Sequence, residues 1–458
     1  YDHPTLAGLA AHLDSMDAPS APTNDEVGLV GRRGQLVQLA TLIPLRTIGG
    51  LRWVTLLATG STAAAASGLL EAPTAPWPAL ALGWLLVVLP PGRMLLAAGA
   101  ARLLLAGLRP GRYPRGGGVH LRLWAAERVA EELLAASTGG AMLIKWYGRL
   151  LGARIGSDVD LHTVPPVTGL LGVGDGASIE FEVDLSGYWV DGDELTVGRI
   201  DIGPDARVGV RSTLGPGTVI GAGAQVTAGS SVQGAVPAGE CWAGSPAAHT
   251  GAARGPWQPE RPPRRPAWGA AYAAASLVIG GVPALGVLVG LGVVGLNLPR
   301  HASLGAAVVH ALTWTPLAAL AGGAAMVAVV LVAVRMLGLA VRPGAHPVQS
   351  LPGWAAWSTF RLLDEARTWL FPLYSGWFTP TWLRLLGADV GSDAEASTVV
   401  LIPSLSKVGD GSFLADDTML GGYELGGGWL RVEHVQIGKH AFLGNSGMAA
   451  PGRKVPSG

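Results

Sequence analysis

Three carboxylates, Glu180, Glu182 and Asp184, alternate along one strand-like segment, so an extended chain puts them on one face. Like charges that close repel one another unless a cation sits among them, and a polyamine substrate meets that need. A solvated outer face explains them equally well. The matching acids further along are Asp416 and Asp417. Tyr188 lies in an insertion, Ser186–Glu194, expected to loop out of the surrounding pattern; Tyr423 recurs in the equivalent place, and either can cover a pocket. Asn445 can donate to an oxyanion, or ladder within its own coil. His162, His434 and His440 are able to carry a proton, although a lone histidine is more often structural. Asp175 and Asp410, each in Gly-Asp-Gly, read as turn residues, and the single Cys241 as core. No zinc or magnesium spacing is visible.

These residues sit on a repeating framework. From Ile202, aliphatic residues follow at six-residue steps: Val208, Leu214, Ile220, Val226 and Val232. Gly follows the first four, and a small residue stands four places after the aliphatic (Ala206, Ser212, Thr218, Ala224, Ser230). This is the hexapeptide signature of a β-helix. The aliphatic points inward, the small residue lets neighbouring faces approach, and Gly accommodates the corner. Three hexapeptides make one triangular coil, left-handed in known examples against the usual right-handed crossover.

The whole module then recurs. Leu150–Ala153 returns as Leu385–Ala388, Gly156–Asp158 as Gly391–Asp393, and Val173–Gly176 as Val408–Gly411, always at one offset (391 − 156 = 235). So long a period marks a tandem array of modules rather than a solenoid unit. The copies differ at the histidines: Ser397 matches His162, while Arg199 and Asp205 match His434 and His440. The second copy stops at Gly458 with two hexapeptides still to run, so the chain is expected to be a piece of a longer protein.

Of 458 residues, 49% are hydrophobic and only 14% charged, against about 25% charged in soluble domains, which indicates a membrane component. The net charge of +0 gives no basic field for nucleic acid. Segments 53–70, 76–108, 269–298 and 302–334 are each apolar enough to be read as membrane helices, which need about 20 residues. Arginines cluster on their outer flanks, while the connections around 71–76 and 299–301 hold only Arg300. By the positive-inside rule the segments form two hairpins in the cell (inner) membrane, with both soluble modules cytoplasmic. Before each prism an amphipathic helix carries tryptophans, at 121–136 with Trp124 and at 354–370 with Trp357 and Trp369; Trp146, Trp377 and Trp382 follow. The membrane interface is the economical reading for them, a hydrophobic collar around a substrate entrance the other.

The first residues, Tyr1-Asp2-His3-Pro4-Thr5-Leu6 with Leu9 and Leu13, resemble the last helix of a thiolation (carrier) domain. Joined to a membrane hairpin and a hexapeptide module, they make the chain resemble the membrane part of the ε-poly-lysine synthetase family of nonribosomal peptide synthetases. The segments carrying the resemblance include 163–179, 203–221, 382–393, 408–417 and 437–454. The resemblance implies α-helical membrane hairpins alternating with cytoplasmic left-handed β-helix (hexapeptide repeat) domains, each preceded by amphipathic helices. It divides the chain into a carrier tail (1–18), linker (19–45), transmembrane helices 1–2 (46–109), a first soluble domain (117–249), linker (250–268), transmembrane helices 3–4 (269–341) and a truncated second domain (350–458).

It also implies an aminoacyl transferase. A carrier-bound aminoacyl thioester would be joined to a free amino acid or growing chain, giving an amino-acid homopolymer. Phosphopantetheine would sit on the upstream carrier, its serine outside this chain, and ATP would serve an adenylation domain upstream. Expected partners are those two domains, a basic amino acid such as Lys, and membrane lipid, with a homo-oligomer left open and neither metal nor nucleic acid expected. Hexapeptide acyltransferases use a coil-borne histidine as general base, which nominates His162, or His434 and His440 in the second copy. Two alternatives stand: a coenzyme-A-dependent membrane acyltransferase, and a scaffold without chemistry that docks the carrier.

Overall fold

The computed structural model describes residues 31–68, 72–133, 141–255, 257, 258, 260–263, 265, 267–298 and 303–458. The carrier-like tail, the first part of the expected linker, residue 71 of the first short connection and all of the second (299–301) lie outside them. The expected linker is helical from Arg32: helix α1 runs Arg32–Ala66. Then come α2 (Trp77–Gly83), which passes through a wider turn at Trp84–Val88, and α3 (Pro90–Leu104). The first prism follows α4 (Gly118–Glu132) and α5 (Ala141–Leu151). Helices α6 (Ala267–Leu296) and α7 (Leu304–Gly338) lead to α8 (Leu351–Trp369), α9 (Phe371–Tyr374), α10 (Thr379–Leu386) and the second prism.

Helices α6 and α7 are each long and apolar enough to cross a membrane. They pack at a small-residue crossing, where a Cβ on Gly322 would collide with the Gly286 carbonyl. The first expected hairpin is not a matching pair. Thr55, Thr59, Gly60, Ser61 and Thr62 dilute α1, which is not among the helices apolar enough to span. The second segment bends by 67° between Val88 and Pro90, because Pro90-Pro91 cannot continue a helix and forces Leu89 into an extended conformation.

Both soluble modules are left-handed β-helices. In the first, one face stacks Arg154–Ile155, Leu171–Val173, Ile200–Ile202, Val219–Ile220 and Ala235–Val236, every neighbour parallel. A second face stacks Asp160–Leu161, Ser178–Ile179, Arg207–Val208, Gln225–Val226 and Glu240–Ala243 in the same way. The inward aliphatics are sealed: Leu161, Ile179, Val208, Leu214, Ile220, Val226 and Val232 expose 1% or less. The second prism repeats this on three faces, led by Asp389–Val390, Glu395–Ala396 and Val400–Leu401.

The expected insertion does leave the prism, as a hairpin of Tyr188–Asp191 and Glu194–Val197. A strand just after α3, Gly111–Pro114, pairs antiparallel with its second arm, Glu194–Val197, which becomes the middle strand of three. The second module repeats the device, Gly344–Pro347 pairing with Trp429–Val432. The tryptophans divide. Trp382 (1% exposed) and Trp357 (5%) are core residues rather than interface anchors, whereas Trp377 (94%) is free.

Candidate functional site

The two prisms differ at one rung. In the second, Val400–Leu401 pairs with Met419–Leu420, which pairs with Met448–Ala449, so the third face is complete. In the first, Thr213–Leu214 pairs with Ser231–Val232, and Asp184 makes a lone bridge to Thr213. The next rung out holds Pro165-Pro166, where Val400-Leu401 stand in the other copy (165 + 235 = 400). Proline has no N–H to donate to a ladder, so this rung cannot form and the face stays open.

The opening is a groove of about 500 Å³ between α4, α5 and the prism, within the range of small-molecule sites. Val164, Pro165, Pro166, Val167 and Leu185 give it an apolar floor. Glu127 and Glu131, one helical turn apart on α4, line one wall, and Asp184 lies opposite. Burial raises the Glu127 carboxyl above its ordinary range, although a hydrogen bond from Tyr188 opposes this, and the Glu131 and Asp184 charges add to the rise. Tyr147 also lines the groove; it is 1% exposed, its hydroxyl has no hydrogen-bond partner among the described residues, and burial pushes it up to about 12. Thr163 is already committed, donating to the Val183 carbonyl at 2.8 Å.

Behind the groove the prisms meet in a seam. His162 Nδ1 lies 2.7 Å from the Tyr423 hydroxyl, and Phe181 packs edge-on against Phe360 with centroids 5.3 Å apart. Glu180 is 5% exposed, and its two oxygens accept the Val210 N–H at 2.8 Å and the Leu425 N–H at 2.7 Å. At the outer corner Arg211 bonds Glu182 at 2.5 Å and Asp417 at 3.0 Å, while Arg367 reaches Asp417 at 2.6 Å and Glu182 at 3.3 Å.

The three first-copy acids therefore do not share a face. Glu182 sits in the left-handed region (φ 54°), which breaks the strand alternation. That turn sends Glu180 into the seam, Glu182 to the arginine corner and Asp184 to the groove. His162 is in the seam, one residue from the groove wall; burial, with Lys145 and Arg361 nearby, lowers it to about 3 and keeps it neutral. Tyr423 is buried against it and lines a small cavity of about 20 Å³ with His162, Phe181 and Phe360, apart from the groove. Tyr188 does stand by the groove, through Glu127. His434 and His440 are exposed, His440 in a prism corner at φ 54°. Asn445 accepts the Asp416 N–H at 3.2 Å, the ladder role, and Asp416 is exposed with Thr398 and Ser397 bonded to it. Sequence reasoning missed Glu127, Glu131 and Tyr147. Their signal was the i, i+4 glutamate pair on α4 and a proline pair in a β-helix rung. Among the described residues, no cluster of three or more His, Cys, Asp or Glu is arranged to hold a metal ion.

No protein-family model matches the chain. A curated relative, the delta-poly-L-ornithine synthetase of Acinetobacter baumannii, is 31% identical over 371 residues, 78% of this chain. The resemblance to amino-acid homopolymer synthetases thus holds, and the chain spans 28% of that relative's length. Among solved structures, a hexapeptide-repeat acetyltransferase from Vibrio cholerae matches with 17% identity, covering 36% of this chain and 93% of its own, at a TM-score of 0.21. A serine acetyltransferase from Brucella abortus matches with 20% identity over 34% of this chain and 68% of its own, at a TM-score of 0.20.

Two outcomes follow for the seam. Tyr423→Phe strands the buried His162 Nδ1 and should cost about 1–3 kcal/mol, read by denaturant unfolding of the detergent-solubilised protein. Burial raises Glu180 to about 8 in the fold, against the two N–H bonds that oppose it. Unfolded, it ionises near 4.5. Between those values the folded state holds the extra proton, so stability falls as pH rises from 4.5 to about 8 and then levels. Thermal unfolding across that window should show the slope, and Glu180→Gln should flatten it.

Proposed function

We propose that this chain is the membrane-anchored acyl-transfer part of an amino-acid homopolymer synthetase. It joins an activated aminoacyl thioester to the amine of a free amino acid or of the growing chain, the monomer being a diamino acid such as lysine or ornithine. The observation that carries the reading is the open groove of the first prism, with three carboxylates and an unsatisfied buried phenol above an apolar floor. The curated relative supports the reaction class.

The chemistry asks three things of the site. Holding amine and thioester together removes much of the entropic cost of meeting. The apolar floor suits the alkyl arm of a carrier thioester, and the acids suit ammonium groups. The attacking amine must lose a proton, and the Glu127 carboxylate, held by Tyr188 and raised by burial, is placed to take it. The new C–N bond forms as the C–S bond breaks, and the proton passes from Glu127 to the departing thiolate. Tyr147 can donate its free O–H to the oxyanion that develops on the carbonyl. His162 acts by holding the wall: it is neutral, shut into the seam, and one residue from Thr163. In this reading α6 and α7 anchor the prisms in the cell membrane, and the arginine bias of the flanks favours a cytoplasmic placement.

The test supplies the protein with a lysyl or ornithinyl N-acetylcysteamine thioester and the free amino acid, following dipeptide by mass spectrometry. Wild-type protein should form it, and Glu127→Gln should slow it about 10²–10⁴-fold. No dipeptide above the uncatalysed rate overturns the reading; full activity in Glu127→Gln overturns the assignment of the base. Tyr188→Phe removes the bond that lowers the Glu127 pKa, so the acidic limb of the rate profile should move to higher pH.

A further inference from the structure

The duplication suggests two sites, but the structure assigns one: we infer that the first copy alone binds the amine substrate and that the second is a filled copy which walls it. This rests on the acyl-transfer reading for the substrate's class, not for the asymmetry itself. Strand Gly111–Pro114 and its counterpart Gly344–Pro347 fix the helix register at an offset of 233, which also superposes Trp124 on Trp357 and Arg128 on Arg361. In that register Glu127 becomes Phe360, and across the prism Tyr147 becomes Trp382 and Asp184 becomes Met419 (offset 235). Two of the groove's three carboxylates and its phenol are thus apolar in the second copy; the third, Glu131, becomes Asp364, which is paired with Arg361 and Arg367.

The filling is physical as well as chemical. Phe360 is 2% exposed, Trp382 1%, Met419 1%, and the strand that closes the rung, Val400–Leu401, is fully buried. The contact that orients the groove base is replaced too. Tyr188 bonds Glu127 in the first copy, while its counterpart Tyr423 packs edge-on against Phe360 at 5.5 Å and shares a hydrogen bond with His162 Nδ1. Phe181 of the first copy then seals Phe360 from outside. The one acid that remains there, Asp364, is taken up by Arg361 at 3.2 Å and Arg367 at 2.8 Å, and the buried Phe360, Trp382 and Met419 fill the space an alkyl chain would need. What the second copy supplies is the surface on which His162, Phe181 and Glu180 are fixed, and those residues adjoin the groove wall at Thr163 and Val183.

The experiment is equilibrium binding of L-ornithine and of L-lysine to the detergent-solubilised protein, with stoichiometry measured by titration calorimetry. One equivalent per chain is expected, with at least a tenfold weaker affinity in Glu127→Phe/Asp184→Met. Because that variant also changes volume, Glu127→Gln/Asp184→Asn is measured beside it, with circular dichroism to confirm the fold, and the same loss is expected. Two equivalents per chain overturn the inference, as does undiminished binding in the folded Gln/Asn variant. If binding is single and groove-dependent but no dipeptide forms, the acyl-transfer reading fails while the asymmetry stands.

Discussion

A parallel β-helix stays closed only while every rung can offer N–H groups to the rung beside it. The rest of this molecule follows from where that condition is met and where it lapses. Two faces of the first prism satisfy it through five rungs, and their inward aliphatics are sealed. The third lapses at Pro165-Pro166, and the space a strand would fill becomes the groove. The site is thus made by omission, in a scaffold otherwise too tightly wound to hold a ligand.

The seam shows the opposite economy. Nearly every polar group there has a partner from the other copy: Glu180 from Leu425, His162 from Tyr423, and Arg211 and Arg367 from acids of both prisms. Burying such groups is tolerable only because each is bonded, and removing one partner leaves the other stranded. Tandem copies in one chain supply those partners at fixed stoichiometry.

Much of the fold was legible in the sequence because its signal is local and periodic. The six-residue aliphatic step from Ile202 to Val232, the constant offset between copies and the uncharged runs of α6 and α7 each follow from one dominant physical demand. The site was less legible, because it depends on departures from the period. Glu180, Glu182 and Asp184 alternate in sequence, yet a left-handed corner at Glu182 sends them to three places. Glu127 and Tyr147 lie outside the hexapeptides, and only the tertiary fold brings them over the open rung. The bend at Leu89 was written in Pro90-Pro91 and masked by the apolar run on either side.

The short strands that follow α3 and α7 join two mechanical worlds, a helical one and a prism. Residues 339–343 are all that separates α7 from Gly344–Pro347, which is hydrogen-bonded into the hairpin beside Tyr423. Residues 105–110 likewise separate α3 from Gly111–Pro114, stitched to the hairpin bearing Tyr188. Tethers so short act as rigid struts rather than leashes. The distance and angle of each prism from the helices before it are therefore fixed by five or six residues of chain, and a shift of α3 or α7 is carried directly to the hairpin beside its prism.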